Sequence, residues 1–121
     1  MKTYLAARYE RRDELCSYID ALAMVGIDVV SSWLWIVHTD LHEAAVSDLA
    51  DLRRADQLIF FSEDITSSWP RGSRCVEYGI ALALGKKIVV IGPRENVFHW
   101  LLPNSAFFES VDALCRHHTK E

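Results

Sequence analysis

A chain of 121 residues with 50% hydrophobic and 25% charged side chains is long enough for one domain with a true core, and too apolar for disorder or a fibrous architecture. The net charge of −4 argues against a nucleic-acid polymer as partner, although arginines can still gather around a single phosphate. We read one domain over 1–121, in which the early charges of "MKTYLAARYERRDEL" disfavour a secretory leader and no apolar run approaches the ~20 residues of a membrane span. Cys16, Cys75 and Cys115 are odd in number and widely spaced, which supports neither a disulfide framework nor a zinc site. The expectation is a cytoplasmic protein with reduced thiols and no membrane partner.

In chain order, the first β-like run is "TYLAA" at 3–7. A helix is expected over 11–24, where Leu15, Ile19, Leu22 and Ala23 recur at i, i+4, i+7 and i+8, and Gly26 ends it. "GIDVVSSW" at 26–33 reads as the second strand, with Trp33 and Trp35 on alternating sides, one for the core and one for a pocket. "DLHE" at 40–43 resembles a capping box, with Asp40 as the cap and Glu43 reaching back, opening a helix that runs to Arg54. "QLIFFS" at 57–62 is the third strand. After the loop "SEDITSSWPRGS" at 62–73, a helix runs from Arg74 to Leu84, closed by Gly85, with Lys86 and Lys87 against its negative end. "KIVVIG" at 87–92 and "AFFES" at 106–110 complete about five strands. Strands alternating with helices predict an α/β fold, a flavodoxin-like or half-Rossmann sandwich with a parallel sheet and helices on both faces. In such sheets ligands bind beyond the carboxyl ends of the strands, which directs attention to 7–12 and 62–73.

Two carboxylates stand in apolar surroundings. Glu77 interrupts "CVEYGIALAL", and an ionised carboxylate in a dry segment is costly unless paired or reachable by solvent. Near a helix N-terminus the dipole would keep it ionised, as a nucleophile or electrostatic partner at the mouth of a crevice; the plainer alternative is an exposed acid that simply favours the helix start. Asp48 shares a helix face with Leu41, Ala44, Ala45 and Leu52, while Asp51 leans toward the edge. Asp48 is either a locally satisfied buried acid or the second member of a carboxylate pair, of the kind that glycosyl chemistry uses.

"TYLAARY" at 3–9, "DLADLRRADQLIFF" at 48–61 and "GSRCVEYGIALALGKKIVVIG" at 72–92 resemble, in order and spacing, the three motif blocks of the nucleoside 2-deoxyribosyltransferase superfamily, which includes 2′-deoxynucleoside 5′-monophosphate N-glycosidase-like members. The resemblance implies a flavodoxin-like fold and three catalytic residues. Glu77 would attack the anomeric carbon of a deoxyribose, Tyr4 would stand beside it, and Asp48 would contact the sugar or assist the leaving base. A covalent deoxyribosyl–glutamate intermediate would then pass the sugar to another base or to water, with no metal or organic cofactor. The chain departs from the family in having Ser73 where a glycine precedes the catalytic helix, with Gly72 one place earlier, and "AARYERR" where many members have "AGPF".

Arg8, Arg11 and Arg12 fall near the end of the first strand, and Arg71 and Arg74 beside Gly72 and Ser73. Arginine forks suit a 5′-phosphate, although Arg11 and Arg12 also fit a solvated helix start. Trp33 or Trp69 is expected to stack on a base. His38 and His42, spaced i, i+4, lack a third ligand and read as surface histidines rather than a metal pair. Asn96, Phe98 and His99 lie past the fourth strand at the same edge, and the apolar run "VFHWLL" is a plausible homo-oligomer interface, from a dimer upward. The substrate expected is a deoxynucleoside or deoxynucleotide, bound through Arg8, Arg12, Trp33, Trp69, Gly72, Ser73, Arg74 and Asn96. Two other readings remain open: a Toll/interleukin-receptor-like NAD glycohydrolase, in which a glutamate also follows a Ser/Trp-bearing loop, and a nucleotide-sensing module without turnover.

Overall fold

Three apolar pentapeptides form the centre of the sheet: β1 (Lys2–Ala6), β3 (Gln57–Phe61) and β4 (Lys87–Ile91). In the computed structural model, which describes residues 1–66 and 72–119, they are flanked by two-residue strands, β2 (Asp28–Val29) and β5 (Phe107–Phe108). The order is β2-β1-β3-β4-β5 and every pairing is parallel, the flavodoxin-like arrangement expected. Very short outer strands leave little unpaired edge for another chain to join.

Central strands covered on both faces read as continuous apolar runs, and the alternation of side chains divides them between two cores. Leu5, Ile59, Phe61, Val89 and Ile91 face one side. That side is closed by α1 (Arg12–Cys16), α2 (Ile19–Met24) and α5 (Val111–Thr119) through Leu15, Leu22, Val111 and Leu114. Tyr4, Ala6, Leu58, Phe60, Ile88 and Val90 face the other, under α3 (Leu41–Arg54) and α4 (Ser73–Ala83). Tyr4 therefore points toward the same two helices that carry Asp48 and Glu77.

Three expected elements differ in detail. The helix over 11–24 is two pieces, because the backbone bonds tighten to i→i−3 at Ser17 and Tyr18 and the Ser17 hydroxyl takes the Glu14 carbonyl at 2.5 Å. The strand over 26–33 stops at Val29. Ser31 Oγ accepts the Leu5 N–H at 3.1 Å and Asp51 takes both the N–H and the hydroxyl of Ser32, so the chain turns into a 3₁₀ segment over Ser32–Leu34. Trp33 and Trp35 are thus not neighbours on a strand. The Asp40 cap forms, its carboxylate accepting the His42 N–H at 2.8 Å.

The chain steps from β1 out to β2 and then crosses back to β3, so the strand order reverses between β1 and β3 and opens a crevice at their carboxyl ends. No helix among the described residues is long and apolar enough to cross a membrane. The rim of the crevice is closely fitted at the end of β4. Gly92 has φ of 118°, and a Cβ there would lie 2.3 Å from Ser62 Oγ. Gly92→Ala is expected to lower stability by roughly 1–3 kcal/mol or more, seen as a lower urea midpoint with an unchanged slope.

Candidate active site

A pocket of about 540 Å³ lies over the β1–β3 crevice. Ala7 and Arg8 reach it from the exit of β1, Trp33 and Ile36 to His38 from the segment after β2, Leu41, Ala44 and Asp48 from α3, and Gly72, Ser73, Arg74 and Glu77 from the start of α4.

At its base the Tyr4 hydroxyl donates to Glu77 Oε2. Tyr4 is fully buried, and Glu77 is only 9% exposed. Glu77 is the fifth residue of α4, and the first turn of that helix holds no acid. Burial, the largest influence, pushes the Glu77 carboxyl up to about 8; the Tyr4 bond pulls the other way and the charge of Asp48 adds to the rise. Burial also raises Tyr4 far above the ordinary phenol range, with the charge and hydrogen bond of Glu77 adding to it. The expectation of a Glu77 held ionised by the helix dipole is therefore corrected. It sits one turn too deep for a terminal amide to serve it, and desolvation wins. The exposed-acid alternative does not describe it either.

The two aspartates exchange their expected places. Asp51 is the buried one, 6% exposed, with Oδ2 accepting from Ser32 N at 2.9 Å and Ser32 Oγ at 2.6 Å while Arg54 takes Oδ1. Asp48 is half-buried and opens on the pocket. Its carboxyl is raised by burial and by the like charge of Asp51, with His38 opposing. The predicted apolar stripe fails at its N-terminal end, where Leu41 is 87% exposed, because α3 packs through its last turns at Asp51 and Leu52.

The other named residues separate into two groups. Trp33 lines the pocket with its indole anchored by Nε1 to the Leu5 carbonyl at 2.8 Å, whereas Trp35 is half exposed and outside the lining. Arg8 also lines it, its Nε 3.2 Å from the Glu63 carboxylate. Arg11 is held between Glu14 at 2.7 Å and Glu63 at 2.9 Å. Arg12 Nε donates to the Leu34 carbonyl at 2.8 Å and is not part of the lining. Arg74 borders the pocket, but its guanidinium forms a buried two-pronged pair with Glu95. Glu95 in turn accepts the Glu63 N–H. Asn96 lies elsewhere, capping the 3₁₀ segment Val97–Leu101 by accepting the Phe98 N–H at 3.0 Å. In that segment His99 is buried between Phe60 and Tyr78, and Val97, Phe98, Trp100 and Leu101 face outward. Trp69 and Arg71 lie outside the described residues.

His38 was expected at the surface, and instead stands in the pocket wall with Nε2 closed off from water and without a partner among the described residues. Its position depends on the turn at Ser32–Leu34, for which the sequence carries no periodic signal. His42 remains exposed, so the two histidines do not act as a pair.

No family model matches the chain, and no curated protein matches it in sequence. Solved structures do. A 2-deoxyribosyltransferase from the psychrotolerant bacterium Bacillus psychrosaccharolyticus superposes with a TM-score of 0.72 at 19% identity, over 94% of this chain and 90% of that one. The CMP N-glycosidase of Clostridium botulinum gives 0.67 at 15% identity over the whole of both chains. A conserved protein of Enterococcus faecalis V583 gives 0.68 at 14% identity, over 99% of this chain and 98% of that one. The chain shares its fold with a 2-deoxyribosyltransferase and a CMP N-glycosidase, the flavodoxin-like fold that the resemblance of its three motif blocks implied.

Two outcomes follow from the burial of the site. With a folded value near 8 against an ordinary 4.5, Glu77 holds a proton in the native state that the unfolded chain has lost. Its contribution to stability is therefore full below pH 4.5 and lost as pH rises through 8; Glu77→Gln should flatten the fall in unfolding free energy across that window. Glu95→Gln would leave the Arg74 charge buried without its carboxylate, and chemical denaturation should read a loss of about 3–5 kcal/mol.

Proposed function

We propose that the protein cleaves the N-glycosidic bond of a 2′-deoxynucleoside or its 5′-monophosphate, passing the deoxyribosyl group through Glu77 to another base or to water. The observation that carries this reading is the buried Tyr4–Glu77 pair at the base of a pocket with Asp48 on its wall. The fold shared with a 2-deoxyribosyltransferase and with a CMP N-glycosidase supports it.

The ionised Glu77 carboxylate attacks C1′, the C1′–N bond breaks, and its electron pair leaves with the base. Tyr4, kept protonated by its surroundings, continues to donate to the carboxylate and holds it in the line of attack. Asp48, its carboxyl raised by burial and by Asp51, contacts the sugar or assists departure. Water or a second base then displaces the glutamyl ester from the opposite face, so two inversions give net retention. A deoxyribose lacks the 2-hydroxyl that destabilises an oxocarbenium-like state, so a small apparatus suffices.

A 5′-phosphate would be met by Arg8, which lines the pocket and would have to share or exchange its Glu63 partner; Arg11, Arg12 and Arg74 are turned to Glu14 and Glu63, the Leu34 carbonyl and Glu95.

Glu77→Gln should keep the fold and lower release of free base, followed by chromatography, by at least about a thousandfold; a variant with wild-type rates removes Glu77 from the mechanism. Since the attacking form is the ionised one, wild-type kcat/KM should climb with pH and level off above about 8.

A further inference from the structure

His38 has no part in the chemistry as drawn, yet it belongs to the pocket wall. Its Nε2 is shut off from water and makes no hydrogen bond among the described residues. Native folds keep few buried polar atoms in that state, and those that persist commonly serve a ligand or a reaction. Ile36, Val37 and Leu41 line the same cavity, and Val37 and Leu41 are 66% and 87% exposed. This stretch of the wall, three aliphatic side chains and an imidazole, suits the flat face and polar edge of a heteroaromatic ring, because apolar contact supplies area and a polar group fixes orientation. The imidazole is also within electrostatic reach of Asp48, on the same wall.

Resting on the function proposed above, we propose that His38 is a catalytic residue of the base-departure step, donating a hydrogen bond to the nucleobase as it leaves. As a Glu77 oxygen bonds to C1′ and the C1′–N bond breaks, the electron pair passes to the base and negative charge builds on its ring. An imidazole always has at least one N–H to meet that charge, whichever neutral tautomer is present. A donor aimed at charge that develops only in the transition state accelerates the step itself, rather than only improving binding. Such contacts in an empty site form when substrate is seated. Asp48 is then left to the sugar. When a second base is the acceptor, the same N–H releases it as its nitrogen takes up the new bond.

The test compares His38→Ala, His38→Gln and the wild type on two pairs of substrates, each supplied free and as the 5′-monophosphate. In each pair one base needs help to leave and the other needs less: 2′-deoxyguanosine against 7-methyl-2′-deoxyguanosine, whose base departs neutral, and 2′-deoxyuridine against 5-fluoro-2′-deoxyuridine, whose base anion is more stable. On the unmodified member, His38→Ala should lose at least about a hundredfold in kcat/KM. It should lose much less on the modified member, and His38→Gln, which keeps an N–H donor, should recover part of the loss. An equal loss on both members, or none, overturns the role of His38 while leaving the reaction standing. A wild type that releases no base from either pair overturns the functional reading and the inference with it. Unfolding midpoints of the variants, expected to match the wild type, separate a lost contact from a lost fold.

Discussion

The hydrogen bond from Tyr4 to Glu77 is the constraint around which the molecule is arranged. It joins the central strand β1 to helix α4 across 73 residues of sequence, with Tyr4 fully buried and Glu77 meeting solvent only at the base of the pocket. A carboxylate so placed resists ionisation, and a phenol beside it resists deprotonation more strongly still. Once Glu77 is ionised, above about pH 8, the pair is a donor and an acceptor whose order cannot reverse, because the phenol keeps its proton. That asymmetry suits a nucleophile that must be orientable without being consumed by its neighbour.

Everything near the pair is held by further polar contacts rather than by apolar packing alone. Arg74, three residues before Glu77, is tied to Glu95, and Glu95 also holds the backbone at Glu63. Glu63 bridges Arg8 and Arg11. On the other side Asp51 fastens Ser32 to α3, and the neighbouring Trp33 is anchored on β1. Each charge that enters the interior meets a partner, as the cost of an unpaired buried charge requires. Several basic residues that look available for phosphate thus serve the frame, which is how a chain of net negative charge carries arginines around a site without forming a broad basic surface.

His38, on the pocket wall, has a buried Nε2 with no hydrogen-bond partner among the described residues. Arg74 also leaves its Nε unpaired, but its other two guanidinium nitrogens hold Glu95. Buried polar atoms are nearly always paired where stability alone decides the matter.

The sequence by itself determined the parallel α/β architecture, the three long strands, the helices over α3 and α4, and the isolation of Asp48 and Glu77 as residues of interest, while Tyr4 came from the family resemblance alone. These are local properties: hydrophobic period, capping residues and glycine stops act over a few positions, and a carboxylate in an apolar run is visible wherever it falls. The tertiary structure alone decided which aspartate is buried and which opens on the pocket, that Glu77 is a proton-holding acid rather than a dipole-stabilised anion, that Arg12, Arg74 and Asn96 have partners elsewhere, and that His38 stands in the pocket wall. Each of those depends on what arrives from a distant part of the chain, Ser32 for Asp51, Tyr4 for Glu77 and Glu95 for Arg74, and a desolvation energy or a hydrogen bond has no sign until both partners are in place.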